Sequence, residues 1–118
     1  MYRSWTYNFR CERNIFDLQS AWLALGSYEW KAFDNDQYGS YIVAREPKTN
    51  LKIRVIGEVP DYSLEIGFDV EPDRLDQTQS QIFATIFELL LPAVGARDIR
   101  DTSRETTPET KRPRDPSP

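Results

Sequence analysis

Apolar and polar residues alternate in WTYNFRC: Trp5, Tyr7, Phe9 and Cys11 fall on one side, Thr6, Asn8 and Arg10 on the other. That is the period of a half-buried strand. The period then changes. Ile15, Leu18, Trp22 and Leu25 recur at helical spacing, with Asn14 where an N-cap belongs and Gly26 where a C-cap glycine belongs. Four further segments, roughly Tyr28 to Phe33, Gly39 to Glu46, Leu51 to Val59 and Tyr62 to Glu71, are rich in aromatic and β-branched residues and are separated by turn formers, so they predict strands. After Pro72 the spacing predicts a helix to about Leu91, capped by Asp73 or Asp76 and burying Leu75, Ile82, Phe83, Ile86, Phe87, Leu89 and Leu90. Pro92 and Gly95 end it.

The hairpins can be written out as pairs, because a wrong register mixes apolar and charged residues on one face. A turn at Pro60 and Asp61 sets Val59 by Tyr62, Gly57 by Leu64, Val55 by Ile66, Ile53 by Phe68 and Leu51 by Val70, all without charge. The reverse side sets Glu58 by Ser63, Ile56 by Glu65, Arg54 by Gly67 and Lys52 by Asp69, with Arg54 diagonal to Glu65 and Asp69. The turn PKTN pairs Ala44 with Ile53 and Ile42 with Val55, and behind them Tyr41 with Ile56 and Val43 with Arg54. For Trp30 to join Ile42 on the buried side, DNDQYG must close the hairpin before it, work suited to Asp, Asn and Gly. A calcium loop there would need Asp or Asn at its fifth place and Glu at its twelfth, which hold Tyr38 and Arg45.

The expected fold is therefore α+β, in the order β-α-β-β-β-β-α. An antiparallel sheet carries two helices packed on one face, with the first strand added at an edge. One domain, residues 1–100, accounts for it. Residues 101–118 are expected to form a disordered C-terminal tail, since from Ala96 onward there is no aromatic residue and Ile99 is the one large apolar side chain. From Arg97 the chain has six basic and five acidic residues, which leaves the body at −5 of the total −4. Its four-residue basic cluster KRPR is short for a nucleic-acid patch.

Composition removes several chemistries. Without histidine there is no His-based triad, no histidine general base and no HExxH zinc site. A single cysteine, Cys11, cannot make an internal disulfide, and its place among aromatics makes it a small core residue. No serine stands in a GxSxG context, and there is no GxGxxG or P-loop. The acidic balance argues against nucleic acid and anionic membrane as partners. No signal-like or bilayer-length apolar run is present, so a soluble cytoplasmic protein is expected. The phrase YEWKAFDNDQYGSYIV resembles hairpins of small bacterial proteins and leads to no family.

What remains is a surface. Phe33, Tyr41, Val43 and Ile56 fall on the side of the sheet away from both helices, bordered by Lys31, Lys52, Arg54, Glu65 and Asp69. An apolar centre with a charged rim is the anatomy of a binding face. The expected function is a non-catalytic protein-binding module, of inhibitor or immunity type, that meets a protein partner or a second copy through Phe33, Tyr41, Val43, Ile56, Arg54, Glu65 and Asp69. No catalytic residue, metal or cofactor is assigned. The alternative is a small enzyme or ligand-binding domain using Glu58, Glu65 and Asp69 with Arg54, since paired carboxylates can divide acid and base work. Lys52 and Arg54 at pairing distance favour a structural charge ladder instead.

Overall fold

The structure, a computed structural model, describes residues 2–37 and 39–103. Six antiparallel strands form one sheet: β1 (Tyr2–Arg10), β2 (Trp30–Asn35), β3 (Gly39–Glu46), β4 (Leu51–Glu58), β5 (Asp61–Asp69) and β6 (Arg97–Asp101). Their order across the sheet is β2-β3-β4-β5-β1-β6. Helix α1 (Ile15–Leu25) follows β1, and α2 (Leu75–Ala84) follows β5 after a 3₁₀ turn, Pro72–Arg74. Beyond α2 the helical path continues through a π segment, Thr85–Leu90, and a last turn, Leu91–Ala93.

Local chemistry sets the ends of α1. Asn14 Oδ1 accepts from the Asp17 amide at 2.9 Å, and Gly26 closes the helix in the left-handed conformation at φ 72°. No side chain caps α2, whose first residue follows Arg74 directly, so neither Asp73 nor Asp76 performs the expected capping. Leu25 is largely exposed, and the buried stripe of α1 is Ile15, Leu18 and Trp22.

Both helices contribute to one core with the inward sides of the strands. Phe9, Cys11, Trp22, Trp30, Ile42, Ile53, Val55, Leu64, Ile66 and Phe68 are all buried within it. Trp22 and Trp30 lie 4.7 Å apart by ring centroid, and Trp5, Tyr7, Phe83 and Phe87 form an edge-to-face cluster between β1 and the second helical segment. Cys11 is fully buried, its thiol donating to the Val94 carbonyl at 3.3 Å.

The β3–β4 pairs are those expected from the sequence: Ala44 with Ile53, Ile42 with Val55, Tyr41 with Ile56, Val43 with Arg54. The β4–β5 register differs by two positions. Gly57 pairs with Tyr62, Val55 with Leu64, Ile53 with Ile66, Arg54 with Glu65 and Lys52 with Gly67, because the connecting pair is Val59 and Pro60 rather than Pro60 and Asp61. A shift of two keeps every side chain on its own face, so the core survives while the charge partners change. Gly57, at φ 136°, adopts a conformation that only glycine tolerates, and a Cβ there would strike the Asp61 carbonyl.

Two further differences concern the edges. β1 does pair with β5, but β6 closes its other side, so β1 is internal. The register between β1 and β6 slips between Asn8 and Arg10, and Asp98 takes a left-handed φ of 54° near this slip. Asp101 belongs to β6, Thr102 is buried, and the Thr102 amide donates to the Thr6 carbonyl at 2.8 Å. The ordered domain thus runs past residue 100. The rest of the expected tail, with its KRPR cluster, lies outside the described residues.

Candidate functional site

Strand pairing places the outward side chains in rows that cross the sheet. One row runs Phe33, Tyr41, Ile56, Ser63, Asn8, Arg100, one residue from each strand. At about 4.8 Å per strand it is about 24 Å long. The next row holds Lys31, Val43, Arg54, Glu65 and Thr6. Neither helix lies on this side, since the core they cover is made from the opposite faces of the same strands.

The first row is aromatic at one end. Phe33 and Tyr41 stack at 5.5 Å with their planes 20° apart, and Phe33 is 45% exposed. Arg54 links the rows. Its Nε and Nη2 donate to Glu65 Oε1 at 2.9 and 2.6 Å, and its guanidinium carbon lies 6.0 Å from the centre of the Tyr41 ring. The direct Arg54–Glu65 pair follows from the observed register; it replaces the diagonal arrangement expected from the sequence.

Of the expected strip, Phe33, Tyr41 and Ile56 reach the surface. Val43 does not: it is 5% exposed and lies at the bottom of a recess of about 180 Å³ lined by Glu29, Lys31, Phe33, Val43 and Arg45. Long cationic side chains with apolar stems can cover a β-branched residue in this way. Asp69 stands opposite Tyr2, two rows beyond Glu65, and so lies away from the strip rather than on its rim. Among the described residues the rim carries both signs: Lys31, Arg45, Lys52 and Arg54 against Glu29 and Glu65.

Two grooves flank the centre of this face. The larger, about 600 Å³, is lined by Asn8, Arg10, Ile56, Asp61, Ser63 and Arg100 among others. Within it Ser63 Oγ bonds Asn8 Oδ1 at 3.2 Å and Arg10 Nε pairs with Asp61 at 3.2 Å. The smaller, about 270 Å³, lies over Ser4, Thr6, Lys52, Glu65 and Gly67. Neither groove was expected. The one sequence signal for them is the polar side of the first strand, Thr6, Asn8 and Arg10, which reads as a solvated face until its neighbours are known.

Spacing tests the carboxylate alternative. Glu65 and Asp69 are four residues apart on β5, about 13 Å along an extended chain, and Glu58, level with Asp61, stands a similar distance on the other side. Carboxyl pairs that share glycoside hydrolysis lie about 5 to 9.5 Å apart. The described residues contain no group of three or more Cys, Asp or Glu side chains arranged to hold a metal ion. No helix among them is long and apolar enough to cross a membrane.

Elsewhere burial raises three phenols above their ordinary value. Tyr7 is raised by desolvation and by Asp101, and Tyr28 by desolvation and by Glu46, partly offset by a hydrogen bond with Thr85. Tyr62 is pushed up to about 12, first by desolvation and then by Cys11, Asp17 and Glu58, while its hydroxyl donates to the Arg13 carbonyl at 2.6 Å. All three point to the helix side of the sheet, away from the rows described above.

No protein-family model matches the sequence, and no curated protein matches it.

Proposed function

We propose that this chain is a non-catalytic module that binds a protein partner through the open face of its sheet. The observation that carries this reading is the Phe33–Tyr41–Ile56 run, with Phe33 exposed and Tyr41 and Ile56 half-buried, set on a face that neither helix covers and stiffened by Arg54 between Glu65 and Tyr41. Aromatic anchors ringed by charge are the usual centre of a binding surface. Pre-ordering the ring next to the anchor reduces the entropy lost on association. The most concrete form is an inhibitor or immunity-type protein, in which a compact body carrying −5 meets a partner of opposite charge. The enzymatic reading with Glu58, Glu65, Asp69 and Arg54 is disfavoured, because the carboxylates are too widely spaced to share one reacting bond and Glu65 is engaged by Arg54.

The test is capture from the native host with wild type, Tyr41→Glu and Ile56→Asp in parallel, together with sedimentation of each purified chain to detect self-association. The reading expects a partner, or a dimer, present for wild type and lost in both folded variants. A partner retained by both would move the binding surface elsewhere.

A further inference from the structure

A separate cleft of about 340 Å³ opens where the loop after α1, the β3–β4 turn and the second helical segment meet. Its lining includes Ser27, Tyr28, Glu46, Thr78, Gln81 and Thr85. Nearly every side chain there carries a hydroxyl, an amide or a carboxylate, and no lysine or arginine is among them. Part of this polarity is satisfied internally. Thr49 donates to Glu46 Oε1 at 3.0 Å, Thr85 donates to the Gln81 carbonyl at 3.1 Å, and Tyr28 bonds with Thr85. The second Glu46 oxygen and the Gln81 carboxamide make no such bond among the described residues.

The donor and acceptor content selects the ligand class. An anion would meet Glu46 with no cation to offset it. An ammonium would use the acceptors and leave the Gln81 N–H groups without a match. An apolar ligand would bury hydroxyls and leave them without hydrogen-bond partners. A polyol both donates and accepts at each hydroxyl, so it matches serine, threonine, glutamine and carboxylate together, and its C–H side can lie against the Tyr28 ring. Thr85 is the first residue of the π segment, a kind of helical irregularity that often marks functional positions. The raised Tyr28 phenol remains a donor well above neutral pH.

We propose that this cleft binds a neutral polyhydroxylated ligand of about monosaccharide size. Glu46 accepts from ligand hydroxyls, Gln81 donates and accepts, and Ser27 and Thr78 complete the polar wall. The site stands apart from the open sheet face, so it does not depend on the protein-binding reading.

Amide-resolved NMR titration of the full chain tests it, with D-glucose, D-galactose and N-acetyl-D-glucosamine as probes and choline and inorganic phosphate as comparators. The expected result is a saturable shift with at least one sugar at Ser27, Glu46, Thr78 and Gln81 and none at Phe33 or Tyr41. Glu46→Gln and Thr78→Val should each weaken it by about tenfold or more while keeping a dispersed spectrum. If Glu46→Gln fails to fold, Thr78→Val alone carries the comparison. The proposal is overturned if none of the three sugars gives a saturable shift, if only choline or phosphate does, or if sugar binding is unchanged in the folded variants.

Discussion

Arg54 is held from two sides, by Glu65 at 2.6 Å and by the Tyr41 ring, yet its side chain and that of Glu65 remain 28% and 42% exposed. Solvent screening keeps such a pair modest, so Arg54→Ala should lower stability by only about 1 kcal/mol in urea unfolding. The substitution removes the group that steadies the aromatic anchor rather than a support of the core. Ile66 is the opposite case. It is 1% exposed between Ile53 and Trp5, and Ile66→Asp would bury a charge with no partner, costing several kcal/mol. Circular dichroism should show that variant unfolded. Tyr62 adds a pH dependence. Its folded value, about 12, lies above the ordinary phenol value of 10.0, so the unfolded chain loses its proton first as pH rises. The contribution is fully present below pH 10, falls away between about 10 and 12, and has the same sign for Tyr7 and Tyr28. Urea midpoints across this range should decline for wild type and decline less steeply for Tyr62→Phe.

At the level of elements, the π segment decides which face of the second helical stretch is inside. The Leu91 amide bonds back five residues to the Ile86 carbonyl, and this wide turn advances the phase by one residue. Leu90, Leu91 and Val94 are therefore buried, while Leu89 is 41% exposed although regular α spacing places it in the core. Pro92 has no amide to continue the regular bonding, and the Val94 amide turns to the Leu91 carbonyl, so the Leu90 carbonyl is left to accept from Trp22 Nε1 at 2.7 Å. Leu89→Lys should leave the thermal midpoint within a few degrees of wild type, whereas Leu91→Lys should unfold the domain; the reverse order would restore a regular helix. The same contrast explains what could be read in the sequence. Period, caps and the PKTN turn give α1, the five earlier strands and the β3–β4 register, because each depends on residues close together in the chain. β6, RDIRD, has no apolar alternation and could not be recognised, since it is held by backbone bonds to a strand about 90 residues away. The outward sheet face proposed for binding was legible as far as Tyr41 beside Ile56 and Val43 beside Arg54. The Arg54–Glu65 pairing and the burial of Val43 needed the observed β4–β5 connection and the neighbouring long side chains.

For the molecule as a whole, the proposed binding mode separates two contributions that kinetics can distinguish. The −5 charge of the body acts at a distance, raising the encounter rate with a partner of opposite sign, and this attraction is screened as rising salt shortens the Debye length. The Phe33–Tyr41–Ile56 run acts only in contact, where desolvation and packing set how long a complex lasts. With a captured partner in hand, raising ionic strength from about 0.05 to 0.5 M should lower the association rate by about tenfold or more and leave dissociation nearly unchanged. Phe33→Ala should do the converse, speeding dissociation with little change in association, because it alters neither the charge nor the fold. Surface plasmon resonance on wild type and Phe33→Ala at the two salt concentrations reads both effects. An association rate indifferent to salt would remove electrostatic steering from the mechanism, and a Phe33→Ala variant that dissociates at the wild-type rate would place the anchor outside the aromatic end of the sheet.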